Sequence, residues 1–226
     1  MRAAILERNV TESRLLKKDL FGEIWRTGSG AEQKIVRDAG TARRWLRWLA
    51  RRLLRHEARA LAALDGLPGI PELVEIRSDR LVRSYLDGTP MHRCQPRDPT
   101  YFRAAASLLR QMHRSNVVHN DLAKEPNLLV CADSRPAFID FQLAWHARRR
   151  GRLFRLLAYE DLRHLLKHKR TYCSQHLTKR ECTILANPSS LSRAWMATVK
   201  PVYLFVTRRL LGWADREGAA DRNERA

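Results

Sequence analysis

His119, Asp121, Asn127 and Asp140 are the residues of this chain whose types and spacing could do chemistry. Asp121 lies in a loop after a helical pattern, Asn127 follows on the same loop, and Asp140 ends an apolar run. Two separated carboxylates and an amide, on loops beside short strands, suit two tasks. A carboxylate and an amide oxygen can hold Mg²⁺, a hard cation that takes oxygen ligands and keeps several waters. The other carboxylate can accept the proton of an attacking hydroxyl. Moving a phosphoryl group needs both, because its catalysis is chiefly positioning and neutralisation of phosphate charge.

The elements around these residues fall into two groups. Residues 15–37 read as short strands, with Leu20, Ile24 and Trp25 among turn residues and T-G-S-G at 27–30 as a hairpin signal. Residues 33–37 form the third strand. Residues 42–64 carry a long helical pattern, with Leu46, Leu49, Leu53, Leu54, Ala58, Leu61 and Leu64 at spacings of three and four. Gly66, Pro68, Gly69 and Pro71 end it, and two further strands are expected at 73–76 and 81–86. After Asp87-Gly88 and three prolines the pattern turns helical: 101–113 is amphipathic, the loop with Asp121 follows, and 153–213 is mostly helical. Sheet first and helices after make an α+β architecture.

Three motifs carry a family resemblance. H-N-D-L-A-K-E-P-N at 119–127 resembles the catalytic loop of protein kinases, and I-D-F-Q at 139–142 resembles their metal-binding D-F-G. R-H-E-A-R-A-L at 55–61 resembles the helix whose Glu pairs the nucleotide-anchoring cation. L-V-R-S-Y-L-D-G at 81–88 is similar to the last strand and hinge. The order matches over roughly 15–166. The likeness is to small bacterial members of the protein-kinase-like superfamily, those like RIO kinases and those phosphorylating lipopolysaccharide core sugars.

The resemblance implies a two-lobed protein-kinase-like fold, with a small antiparallel-sheet N-lobe over 1–86, a compact helical C-lobe over 87–213 and a polar tail over 214–226. It implies ATP and Mg²⁺ as cofactors. Asp121 becomes the catalytic base, Asn127 and Asp140 the magnesium ligands, and His119 a packing residue. Lys124 is placed to contact the γ-phosphate. Phe21 and Gly22 stand for the phosphate-covering loop, and Ser84 and Tyr85 for the hinge that meets adenine. Glu57 orients the cation on the third strand, which is Lys34 or Arg37, with Arg37 at the better-fitting position. Asp161, on the helix after the metal loop, becomes a structural anchor.

The sequence also departs from the kinase pattern. One residue more than usual separates Asp121 from Asn127, Gln142 replaces a Gly, the glycine loop is degenerate, and an A-P-E segment is not recognisable. These departures keep three functions in view: a kinase acting on protein Ser/Thr, a kinase for an envelope glycan such as a lipopolysaccharide core sugar, and a non-catalytic nucleotide-binding scaffold.

Composition bounds the rest. The chain has 226 residues, 44% hydrophobic and 30% charged, as expected of a folded protein. Its 43 Lys+Arg against 24 Asp+Glu give a net charge of +19, which attracts polyanions. Nucleic acid is one such partner, though no DNA- or RNA-reading motif appears. An acidic protein and an anionic glycolipid are others. The longest uncharged apolar run near the C-terminus is far short of a membrane span, and the first ten residues do not read as a secretory signal. Cys94, Cys131, Cys173 and Cys182 are scattered, which fits ordinary thiols in a reducing cytosol. A cytoplasmic protein, in peripheral contact with the inner membrane face at most, is the expectation.

Several further features have two readings each. Trp45 and Trp48, with arginines at 43, 44, 47, 51, 52 and 55, either pack on the core or face an anionic membrane. Residues 200–213 repeat that theme. Arg148-Arg149-Arg150-Gly151-Arg152 is either an anion-binding wall for the acceptor or an exposed basic loop. His164 and His168 are expected on a solvent-facing side of their helix, with metal binding the lesser alternative.

Overall fold

The computed structural model describes residues 13–187, apart from the side chain of Ala31. The 200–213 segment and the 214–226 tail therefore lie outside the described residues. The chain divides into two units. One runs to Asp87 and includes Phe141–Leu143; the other is Gly88–Asp140 and the chain from Ala144 onward.

The first unit is a five-stranded sheet in the order β1-β2-β3-β5-β4. Its strands are β1 (Ser13–Asp19), β2 (Gly22–Thr27), β3 (Lys34–Asp38), β4 (Leu73–Ile76) and β5 (Arg80–Ser84), and every pairing is antiparallel. Helix α1 (Arg47–Ala63) crosses between β3 and β4 and buries Ala50, Leu54, Glu57, Ala58 and Leu61. Its apolar stripe meets Ala39, Ala42 and Leu81, with Phe21 and Leu73 at the edge of the cluster. The turn Phe141–Leu143 packs on the same helix, and Phe141 is fully buried.

The α1 pattern extends further back in sequence than the helix does. Residues 42–46 are held in turns instead: Ala42 N–H donates to Ala39 O, Leu46 N–H to Arg43 O, and Arg43 N–H to Leu20 O. No side chain caps the helix at Leu46, and its first turn holds no acid. Arginines there oppose the positive end of the helix dipole, so the helix starts late.

In the second unit, β6 (Thr89–Pro90), β8 (Leu128–Val130) and β9 (Pro136–Phe138) form one small sheet, and β7 (Val117–Val118) pairs with β10 (Trp145–His146). Helices α2 (Met91–Cys94) and α3 (Pro99–Arg114) lie between β6 and β7 in the chain, and α4 (Arg152–Tyr172) and α5 (Lys179–Ala186) follow β10. Asp98 caps α3 by accepting from Thr100 N–H at 2.8 Å, with Pro99 in the first turn, where a missing N–H costs nothing. The buried face of α3, which includes Tyr101, Phe102, Leu108, Leu109 and Met112, packs on β9 and α4. Tyr101 hydroxyl donates to Leu129 O at 3.1 Å and ties α3 to β8.

One expectation is corrected here, and one open pair of readings is decided. His168 does not face solvent: it is buried, with Nε2 2.8 Å from Leu122 O and Nδ1 3.7 Å from Glu125. His164 is half-buried, with Nε2 4.0 Å from Glu160, and burial lowers its pKa to about 4. Trp45 and Trp48 do not pack on the core; they are 60% and 65% exposed.

Candidate active site

The loop after β7 is pinned from below by one carboxylate. Asp161, 1% exposed on α4, accepts from His119 N–H at 2.7 Å and Asn120 N–H at 2.9 Å. His113 Nε2 lies 3.2 Å from the same carboxylate. His119 then bridges outward, with Nε2 3.0 Å from Ile139 O and Nδ1 accepting from Asp121 N–H at 3.3 Å. The anchoring role expected of Asp161 and the packing role expected of His119 are both visible in these bonds.

Asp121, Lys124 and Asn127 come together on that loop. Asn127 Nδ2 donates to Asp121 Oδ2 at 3.0 Å and to Asp121 O at 2.9 Å. Lys124 Nζ stands 3.2 Å from Asp121 Oδ2. Burial raises the Asp121 carboxyl above the ordinary carboxylate value; the Lys124 cation opposes that rise, and the Asp140 carboxylate adds to it. Asp140 follows at once: Ile139 N–H donates to Asn127 O at 3.0 Å, and Asp140 adopts the left-handed region at φ 65°. Asn and Asp tolerate that region better than most residues. The extra residue between Asp121 and Asn127 is absorbed by a 3-10 turn, Glu125–Asn127. Glu125 in that turn accepts from Tyr172 hydroxyl at 2.6 Å.

The oxygen set suits Mg²⁺. Both N–H groups of the Asn127 amide serve Asp121, so its carbonyl oxygen is the group left for a cation. That oxygen and the Asp140 carboxylate are the hard oxygen groups here that could hold Mg²⁺, which takes such ligands and keeps several waters.

In the first unit, Arg37 NH1 stands 3.1 Å from Glu57 Oε2, and Arg83 Nε 3.4 Å from Glu57 Oε1. Glu57 is fully buried and both arginines nearly so. Strand alternation explains the choice between Lys34 and Arg37. Three positions apart, they point to opposite faces of β3, and Arg37 is on the α1 side. Lys34 is exposed. Arg83 is a residue the sequence reading missed. It shares parity with buried Leu81 in β5, and a cation at a core-facing register was the signal.

Two other assignments meet obstacles. Ser84 N–H donates to Glu72 O at 2.9 Å and Tyr85 N–H to Gln33 O at 3.1 Å, so neither amide is left to donate to a base. Tyr85 instead lies under the Arg26 guanidinium, 4.2 Å from its ring centroid. Phe21 and Gly22 form a tight β1–β2 turn. There Asp19 Oδ1 already accepts from Phe21 N–H at 2.8 Å. Gly22 has φ 125°, and a Cβ on it would fall 2.0 Å from Asp38 O, so close strand approach accounts for the glycine. The turn is no open cradle of amides.

The basic segment is short and partly committed. Arg150 donates through Nε to Asn116 Oδ1 at 2.8 Å and also to Arg114 O, closing the end of α3. Arg148 and Arg149 are exposed. Helix α4 begins directly after Gly151.

An antiparallel sheet carrying a buried Arg–Glu pair, followed by a helical unit with the H-x-D…N loop and the D-F-x turn, defines a protein-kinase-like protein. The sequence model of the RIO domain matches residues 31–182. The chain belongs to that family of atypical, ATP-binding, protein-kinase-like phosphotransferases. The match begins after the β1–β2 turn, the segment whose phosphate-covering role has least support. No curated protein matches the chain.

Proposed function

We propose that this protein transfers the γ-phosphoryl group of ATP to an acceptor hydroxyl, and that the acceptor is a serine or threonine of a protein. The observation that carries the reading is the Asp121–Asn127–Lys124 cluster beside Asp140. When bound, ATP and Mg²⁺ supply the transferable group and neutralise its charge. Asn127 and Asp140 offer the oxygens that hold the metal. Asp121 accepts the acceptor's hydroxyl proton at its carboxylate, and the Asn127 amide fixes the rotamer in which it does so. Lys124 keeps a cation beside the reacting oxygens. Arg37, oriented by Glu57, anchors nucleotide phosphate. The protein acceptor is preferred because the loop and D-F-x pattern are shared most widely among protein kinases, an argument by analogy.

The test is label transfer from γ-labelled ATP with Mg²⁺ into an envelope-plus-cytosol extract, separated into protein and glycolipid. Label in protein that is absent with Asp121→Asn supports the proposal. Asp121-dependent label in glycolipid moves the acceptor to an envelope glycan. No Asp121-dependent label from folded protein leaves a non-catalytic nucleotide-binding scaffold.

A further inference from the structure

Helix α1 has two faces, and among the described residues only one packs against the rest of its unit. Ala50, Leu54, Glu57, Ala58 and Leu61 are turned inward. Trp48, Arg52, Arg55 and Arg59 recur at helical spacing on the other side, and all four are exposed. Arg43, Arg44 and Trp45 stand exposed just before the helix. Both indoles therefore sit in water among arginines. Trp48, Arg51, Arg52, Arg55, His56 and Arg59 line a shallow hollow of about 330 Å³. No acid is among those lining residues; among the described residues Arg51 is drawn aside to Asp79 on the β4–β5 turn, and Arg55 Nε donates to Arg51 O at 3.3 Å while its side chain stays exposed.

We infer that this face docks on an anionic lipid bilayer surface. The occupant follows from charge and shape. The exposed arginines meet phosphate-bearing headgroups, and juxtaposed cations gain from the negative surface potential. Indoles partition to the headgroup level, where the apolar ring and the N–H are both satisfied. A row along a convex helix meets a plane of anions at every step. A base or a peptide backbone would require acceptors as well as donors, and this face offers cations, indoles and one imidazole. The chain's charge of +19 adds long-range attraction in the same sense. The apolar stripe of α1 is already used by the sheet, so the contact is peripheral, with the two indoles as its inserted part. Among the described residues no helix is long and apolar enough to cross a membrane.

The test uses the full chain with vesicles of phosphatidylcholine plus phosphatidylglycerol, against vesicles of phosphatidylcholine alone. Sedimentation with the anionic vesicles only, reversed by salt, is expected. Arg52→Glu/Arg55→Glu/Arg59→Glu should cut partitioning roughly tenfold or more. Trp45→Ala/Trp48→Ala should weaken it too and remove the tryptophan quenching given by brominated lipid. These side chains are exposed, so circular dichroism and melting should match the parent. Failure of the folded parent to bind anionic vesicles overturns the inference, as does binding that both variants retain. Binding of single-stranded RNA lost in the arginine variant, without vesicle binding, assigns the face to nucleic acid instead.

Discussion

In the proposed reaction Asp121 meets two opposed demands: proton acceptance requires its charged form, and its surroundings disfavour that form. Burial raises its carboxyl, and Lys124 recovers only part of the cost. The folded state therefore holds this proton more tightly than the unfolded state does. Its contribution favours folding at pH below the ordinary carboxylate value and declines as pH rises through the raised value. Asp121→Asn should then melt higher than the parent at neutral pH, and the gap should close below the ordinary carboxylate range. Paired thermal melts across pH read this directly. A gap that widens on acidification would mean the carboxylate is stabilised in the fold.

Glu57 is the reverse case, a buried carboxylate between two cations. Glu57→Gln removes the carboxylate from between two buried guanidiniums and should cost about 3–5 kcal/mol. Adding Arg83→Met should restore part of that loss in urea unfolding; strict additivity would deny that the three residues act together. Arg37 was legible only as the better-fitting of two candidates, by its distance from Phe21-Gly22 and from Glu57; alternation along β3 then separates it from Lys34. Arg83 was not, because its segment was read for backbone chemistry and its side chain went unconsidered.

At the scale of elements, α4 acts as the foundation of the Asp121 loop. Asp161 reaches from it to two backbone N–H groups. Asp161→Asn places an amide donor against at least one of them and should cost roughly 3 kcal/mol. Phosphoryl transfer should fall even under conditions where the variant is fully folded, because the loop that sets Asp121 has lost its anchor. The β1–β2 turn makes a different prediction. Gly22→Ala should destabilise the fold by more than about 1 kcal/mol, since the residue lies at φ 125° against Asp38 O. If nucleotide affinity fell while stability held, the turn would be a phosphate contact after all. Element identity was largely readable from apolar spacing. The start of α1 was not, because backbone bonds from 42–46 to neighbouring turns compete with helix. The burial of His168 was not readable either, because its partner is the backbone carbonyl of Leu122, which leaves no mark in a side-chain pattern.

At the scale of the whole molecule, the order of motifs did more than any one motif. H-x-D…N alone is a common loop composition; followed at the right distance by an apolar strand ending in Asp140-Phe141, it specified the family. The acceptor was not legible, since no single motif encodes it and the basic segment at 148–152 is partly consumed in closing α3. The central claim is that Asp121 and Asp140 operate on one phosphoryl group. A single-turnover experiment with purified protein in excess over γ-labelled ATP, with and without Mg²⁺ and acceptor extract, tests it most directly. The account predicts magnesium-dependent loss of the γ-label from ATP, abolished by Asp121→Asn and by Asp140→Asn with both variants folded. Label loss that persists in either variant, or none at all in the folded parent, would contradict it.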